Sequence, residues 1–259
     1  AFSQSGETSD TMTALRRVKE AGFISLGVTN VMGSSITRTV DSTLYTLAGP
    51  EVAVASTKTF ITQLISVYLL GYFLAPDRTA VAEIPANLRA LPGKISQLLN
   101  TEPAIREAAR RLVDAEHMFI VAKGLGVPVA LEGALKFKEV AYLHTEGYPA
   151  GELKHGPFAM LDDNTPVVAL VPSDEHRTRV ITSIKEIKAR GSVVIAIADQ
   201  DDEEIQEFVD VVLALPKVDP MVAPVLQTVM LQLLSYYCAE ERGCPIDRPR
   251  NLAKSVTVP

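Results

Sequence analysis

The chain has 259 residues, 47 % of them hydrophobic and 22 % charged, which suits one large or two smaller globular cores and leaves no compositional sign of disorder. A net charge of −6 disfavours non-specific binding to nucleic acid or to anionic membranes, and no basic stripe with interleaved aromatics offsets it. The longest apolar run, 61–74, is shorter than the roughly 18–20 residues a bilayer span needs; no signal peptide is visible, and the absent initiator Met hints at a longer protein.

The chain opens on Ala1-Phe2, followed by Ser3-Gln4-Ser5-Gly6-Glu7-Thr8 and a helix-like run from Asp10 to Ala21. Hydroxyls and one glycine between a strand and a helix N-terminus suit a phosphate, because unpaired N–H groups and a partial positive charge lie there. An ordinary helix cap by Ser5 or Thr8 is the competing reading. Phe23 to Val28 reads as a buried strand, Thr43 to Leu47 as another, and Thr57 to Ala75 as an apolar helix. Helical runs follow at 86–100 and 103–115. Four short β-branched runs, 118–122, 166–171, 193–198 and 211–215, then alternate with helical stretches near 129–146, 177–190 and 222–241. This alternation predicts an α/β fold with parallel sheets flanked by helices.

A weak internal repeat runs through it. Strand, Ser-containing loop, helix, Gly and strand recur from Phe2 and again from Val171, and Gly22 precedes Asp41 by the same spacing as Gly191 precedes Asp210. The second copy carries a further strand–turn–helix unit ahead of its loop, at His117 to Pro128. By that comparison the first copy lacks about fifty residues and has a strand without a neighbour.

Three regions concentrate reactive groups. Glu132, Lys136 and Glu139 lie at i, i+4 and i+7, so they share a helix face, either as proton-transfer groups or as a solvated salt-bridge ladder. The stretch from Gly147 to Pro157 reads as a loop holding Glu152, Lys154 and His155, with His155 either an acid–base group or a loop-fixing residue. His144 reads as a structural residue on the preceding helix, and His117 and His176 as surface residues. The C-terminal arm, 245–259, has the look of a fraying tail, yet Leu252, Val256 and Val258 are available to anchor it and carry Lys254 into a cleft as an amine nucleophile. Cys238 and Cys244 lack CxxC or histidine partners, so the reading is free thiols in a reducing cytoplasm and no metal site.

Together these motifs resemble the isomerase part of the glutamine–fructose-6-phosphate aminotransferase (isomerising) family. The resemblance rests on the Ser3–Thr8 hexapeptide, Val54-Ala55-Ser56-Thr57-Lys58, the Glu132–Glu139 helix, Glu152-Leu153-Lys154-His155-Gly156-Pro157, and the tail Pro249 to Val258. It implies two flavodoxin-like SIS subdomains, over 1–100 (incomplete at its N-terminus) and 101–245, with an active-site arm at 246–259. It also implies that Ser3, Gln4, Ser5 and Thr8 bind the phosphate of fructose 6-phosphate, and that Val54, Ser56 and Ala253 line the sugar pocket. Lys254 would form a Schiff base, Glu139 would move a proton between C1 and C2 with Lys136 assisting, and His155 would open the ring from the second subunit of a homodimer. No cofactor or metal is implied, since hydroxyls and helix N–H groups hold a phosphate dianion unaided. The family's glutaminase domain, its terminal cysteine, and a Cys-Gly-Thr-Ser loop ahead of the phosphate loop have no counterpart here, and Pro259 replaces a usual final Glu. The expectation is an isomerase fragment without glutamine hydrolysis, whose own activity is open. Two rivals are a stand-alone glucosamine-6-phosphate deaminase of SIS type and a non-catalytic sugar-phosphate sensor; the C-terminal signature and the joint presence of Glu139, Lys136 and Lys254 argue against them.

Overall fold

The structure is a computed structural model that describes residues 1–254. Contacts divide the chain into two compact units, one of residues 1–85 with the segment from Arg250, the other of residues 86–249.

In the first unit, β1 (Leu26–Thr29) pairs in parallel with β2 (Ser42–Tyr45), and Phe2 adds a single parallel bridge to Val28. Helices α1 (Ser9–Glu20), α2 (Ser35–Thr39) and α3 (Lys58–Leu74) accompany them, with Met12, Leu15 and Ile36 forming a small core against Val40. The strand expected from Phe23 begins only at Leu26, and Phe23 and Ile24 are 66 % and 91 % exposed. The chain turns at Gly22 and rejoins the sheet at Ser25, whose N–H and hydroxyl both donate to Asp41.

The second unit contains α4 (Ile84–Leu99), whose first turn straddles the division, then α5 (Glu102–Arg110), β3 (His117–Ala122) and α6 (Gly126–Lys136). Next come β4 (His144–Pro149), β5 (Val167–Leu170), α7 (Arg177–Lys188), β6 (Val194–Asp199), β7 (Val211–Leu215) and α8 (Ala223–Glu241). All five strands are parallel, in the order β4-β3-β5-β6-β7. Counted within the unit this is second, first, third, fourth, fifth, the flavodoxin-like order with its switch point between β3 and β5. The inner strands are apolar apart from His117 and Asp199 at their ends, because both faces are covered. Phe119, Val121, Ala169 and Ala196 pack on Val180 and Ile184 of α7, while α6 and α8 meet over Ile120, with Leu231 against Gly133.

The sequence repeat has a structural counterpart. Asp41 Oδ2 accepts the N–H of Ser25 at 2.8 Å, and Asp210 Oδ2 accepts that of Val194 at 2.7 Å, three residues after the paired glycines in each case. The lysines three residues before those glycines also correspond: Lys19 donates to the Thr39 carbonyl and Lys188 to Asp210.

Two expectations give way. The helix read as far as Glu146 is α-helical only to Lys136, continues as one π turn over Phe137–Ala141, and ends at Tyr142 in a left-handed conformation (φ 54). His144 therefore starts strand β4 and is exposed, not helical. The loop read from Gly147 is strand to Pro149 and then 3-10 turns at Ala150–His155 and Pro157–Met160.

Candidate functional site

In the Ser3–Thr8 loop the peptide is folded around its own hydroxyls. Ser3 is buried; its Oγ lies 2.9 Å from the Thr8 hydroxyl and accepts the Gly6 N–H at 3.0 Å. Thr8 occupies the N-cap position of α1 but makes no side-chain cap bond, so its hydroxyl serves the loop instead. The Ser5 hydroxyl accepts the Glu7 N–H at 3.2 Å, and the Gln4 carbonyl accepts the Asn30 N–H at 3.1 Å. Gly6 has φ +69, and a Cβ there would sit 2.1 Å from Ser34 Oγ, so no other residue fits this bend. The repeat-related loop in the second unit differs: Asp174 accepts the His176 N–H at 2.8 Å, so a carboxylate of the chain already occupies that turn.

At the start of α3, Glu51 gathers several donors. Its side chain is 3 % exposed and accepts the Thr57 N–H at 2.9 Å, the Thr59 N–H at 3.3 Å and the Thr59 hydroxyl at 2.6 Å. Lys254 Nζ donates to the same carboxylate at 2.7 Å. Burial pulls this carboxyl's pKa up, but the bonds from Lys254, Thr59 and the two backbone N–H groups outweigh it and hold the pKa at about 2. The Ser56 hydroxyl is 2.6 Å from that of Thr59, which joins Ser56 and Lys254 through Thr59 and Glu51. Val54 is half-buried and Ala253 exposed. Leu252 is 47 % exposed, and Val256 and Val258 lie outside the described residues.

In the second unit, Lys136 is buried at the end of α6, with Nζ 2.5 Å from Glu139 and 3.3 Å from Glu132. The solvated salt-bridge ladder that spacing allows is thus not what forms. Glu139 stands on the π turn, which sets it beside Lys136 at i+3. Burial pushes the Glu132 carboxyl above its ordinary pKa against the attraction of Lys136, which faces its Oε1 at 3.3 Å without a well-aligned hydrogen bond. His155 is different: its side chain is 75 % exposed and 4.0 Å from Glu152, while Lys154 pairs with Glu186 at 2.8 Å.

The structure thus assembles Lys136 with Glu132 and Glu139, Lys254 with Ser56 through Glu51 and Thr59, and Ser3 with Thr8. Sequence reasoning passed over Glu51 and Thr59. Their one signal was a carboxylate shortly ahead of a helix with Thr57 at its N-cap position and Thr59 in its first turn.

Among the described residues no group of three or more His, Cys, Asp or Glu is placed to hold a metal, and no helix is long and apolar enough to cross a membrane. Comparison with known proteins adds the following. The SIS domain model matches residues 1–72 and 111–240. A glutamine–fructose-6-phosphate aminotransferase (isomerizing) of Methanosarcina acetivorans is 51 % identical over the whole chain, which spans only 43 % of that relative's length. The C-terminal domain of the glucosamine–fructose-6-phosphate aminotransferase of Francisella tularensis superimposes at a TM-score of 0.89 with 37 % identity, over 95 % of this chain and 71 % of that one. A glucosamine-6-phosphate deaminase of Thermotoga maritima, at 24 % identity and a TM-score of 0.73 over 98 % of this chain and 73 % of that one, shares the fold. The chain belongs to the SIS domain family and corresponds to the isomerase part of the glutamine–fructose-6-phosphate aminotransferases.

Proposed function

We propose that this chain converts fructose 6-phosphate and ammonia into glucosamine 6-phosphate, as the isomerase part of a cytoplasmic enzyme of amino-sugar biosynthesis. Ser3, Gln4, Ser5 and Thr8 hold the phosphate, and Val54, Ser56 and Ala253 line the sugar. His155, from the second subunit of a homodimer, helps open the ring. Lys254 Nζ adds to the C2 carbonyl and water leaves, giving a Schiff base that ammonia then displaces, freeing the lysine. Glu139 removes a proton from C1, and the electron pair moves toward the protonated C2 imine to give a C1=C2 enolamine. Glu139 then returns the proton at C2 as the C1 hydroxyl loses its proton to solvent and becomes the aldehyde. The net change takes in ammonia and releases one water. No metal or cofactor takes part. Glutamine would supply the ammonia through a glutaminase domain elsewhere in the full-length protein.

The buried Lys136, held between Glu132 and Glu139 on a π turn, is the observation that carries this reading. Confining three ionisable groups is costly for structure alone, and it suits a carboxylate that must exchange a proton away from water. The test is synthesis of glucosamine 6-phosphate from fructose 6-phosphate and an ammonium salt by the protein at its full encoded length. Glu139→Gln is expected to lower kcat by about 10²–10⁴-fold, with circular dichroism unchanged. Borohydride should add one reduced sugar phosphate to Lys254. Full activity of Glu139→Gln, or a wild-type protein that only breaks down glucosamine 6-phosphate, would overturn the reading.

A further inference from the structure

We infer that Glu51 is a positioning residue that docks the C-terminal arm: its carboxylate anchors the Lys254 amine at the start of α3 and ties it, through Thr59, to Ser56. The inference rests on the proposed role of Lys254 as nucleophile. The geometry is that of a hub. One carboxylate, almost wholly buried, spends Oε1 on the N–H groups of Thr57 and Thr59 and Oε2 on the Thr59 hydroxyl and Lys254 Nζ. The helix N-terminus favours a negative charge there, and the N–H groups of Thr57 and Thr59 hold the carboxylate in place. Lys254 brings the complementary charge from a sequence separation of 203 residues. The preceding arm residues, Asn251, Leu252 and Ala253, are exposed, so apolar packing does little to hold this stretch and the ion pair is its evident anchor. The amine must leave the carboxylate to attack a carbonyl, so the contact stores the nucleophile one hydrogen bond away from use. Ser56, tied to the same hub, would line the sugar beside it.

The test compares wild type, Glu51→Gln, Glu51→Asp, Lys254→Met and Glu51→Gln/Lys254→Met in the protein at its full encoded length. Glutamine keeps an oxygen for the α3 N–H groups and replaces the Oε2 that accepts from Lys254 and the Thr59 hydroxyl by an uncharged donor. Hydrogen exchange of residues 250–254 is expected to quicken at least tenfold in Glu51→Gln and equally in Lys254→Met. The double variant should exchange no faster than either single one, and exchange over α8 should stay unchanged. With fructose 6-phosphate, Glu51→Gln should lose at least tenfold in kcat while KM stays within about twofold, and Glu51→Asp should recover part of both effects. Wild-type exchange in Glu51→Gln, or additive effects in the double variant, would overturn the docking role. If borohydride fails to label Lys254 in wild type, the proposed function falls, while the exchange data still decide whether Glu51 docks the arm.

Discussion

Glu132 shows what burial does to a carboxylate inside an ion-pair cluster. Its folded pKa is raised by burial above the ordinary 4.5, so the folded state binds a proton more readily than the unfolded chain. Stability from this group is fully present below pH 4.5 and is lost as the pH rises through the folded value. Replacing it with glutamine should therefore stabilise the second unit at pH 7, and the gain should vanish in unfolding curves taken below about pH 4.5. The same change removes one of the two carboxylates beside Lys136 and is expected to slow turnover, a stability–activity exchange. Spacing put Glu132, Lys136 and Glu139 on one face but not at a depth. Leu131 and Leu135 of α6 are 56 % and 42 % exposed, while Lys136 is buried. The buried face of this helix is made by Val129, Ala130, Gly133 and Ala134, small residues rather than the leucines.

At the scale of the element, β4 was the least legible. Its sequence, His144-Thr145-Glu146-Gly147-Tyr148-Pro149, lacks strand alternation and ends in proline, which an edge strand tolerates. The strand is defined by pairing with β3, His117 opposite His144, and by a close approach to α6. A Cβ at Gly147 would lie 2.7 Å from the Leu131 amide nitrogen and 2.8 Å from the Ala130 carbonyl, so helix backbone rests directly on this glycine. Gly147→Ala is expected to cost about 1–3 kcal/mol by overpacking. It should also displace the helix that carries Lys136 and thereby lower kcat. Chemical denaturation and kinetics on the same preparation would check both; an unperturbed variant would mean the helix is not seated there.

Across the whole molecule, the repeat was legible because a turn glycine precedes an aspartate by the same nineteen residues in both copies, Gly22 to Asp41 and Gly191 to Asp210. What the spacing left unsaid was the bond each Asp makes. Asp210 satisfies the amide of the buried Val194 and pairs with Lys188 at 2.7 Å. Both bonds hold its carboxyl below the ordinary range against the upward push of burial. Asp210→Ala should therefore cost about 1–3 kcal/mol, the penalty of an orphaned buried amide, read as a lower urea midpoint at unchanged slope. The α/β class and the parallel sheet followed from strand–helix alternation in the same way. The pairing Lys254–Glu51 did not, since 203 residues separate its members and no local pattern spans such a distance.

The strand order of the second sheet also sets a timetable. β3 pairs with β4, whose matching residue comes 27 positions later, and with β5, 48 positions later; it has no hairpin partner. A ribosome adding residues from the N-terminus therefore releases this strand, buried from Met118 to Ala122 in the finished sheet, well before both of its neighbours exist. Its edges must wait until β4 and β5 have emerged, with α6 the one helix made in the meantime that packs on it in the finished unit. Parallel pairings of this kind are slow to close and exposed to aggregation while they do. The interval between synthesis of Ala122 and of Leu170 is thus the vulnerable stretch of this protein's birth, and the point at which a chaperone would have the most to protect.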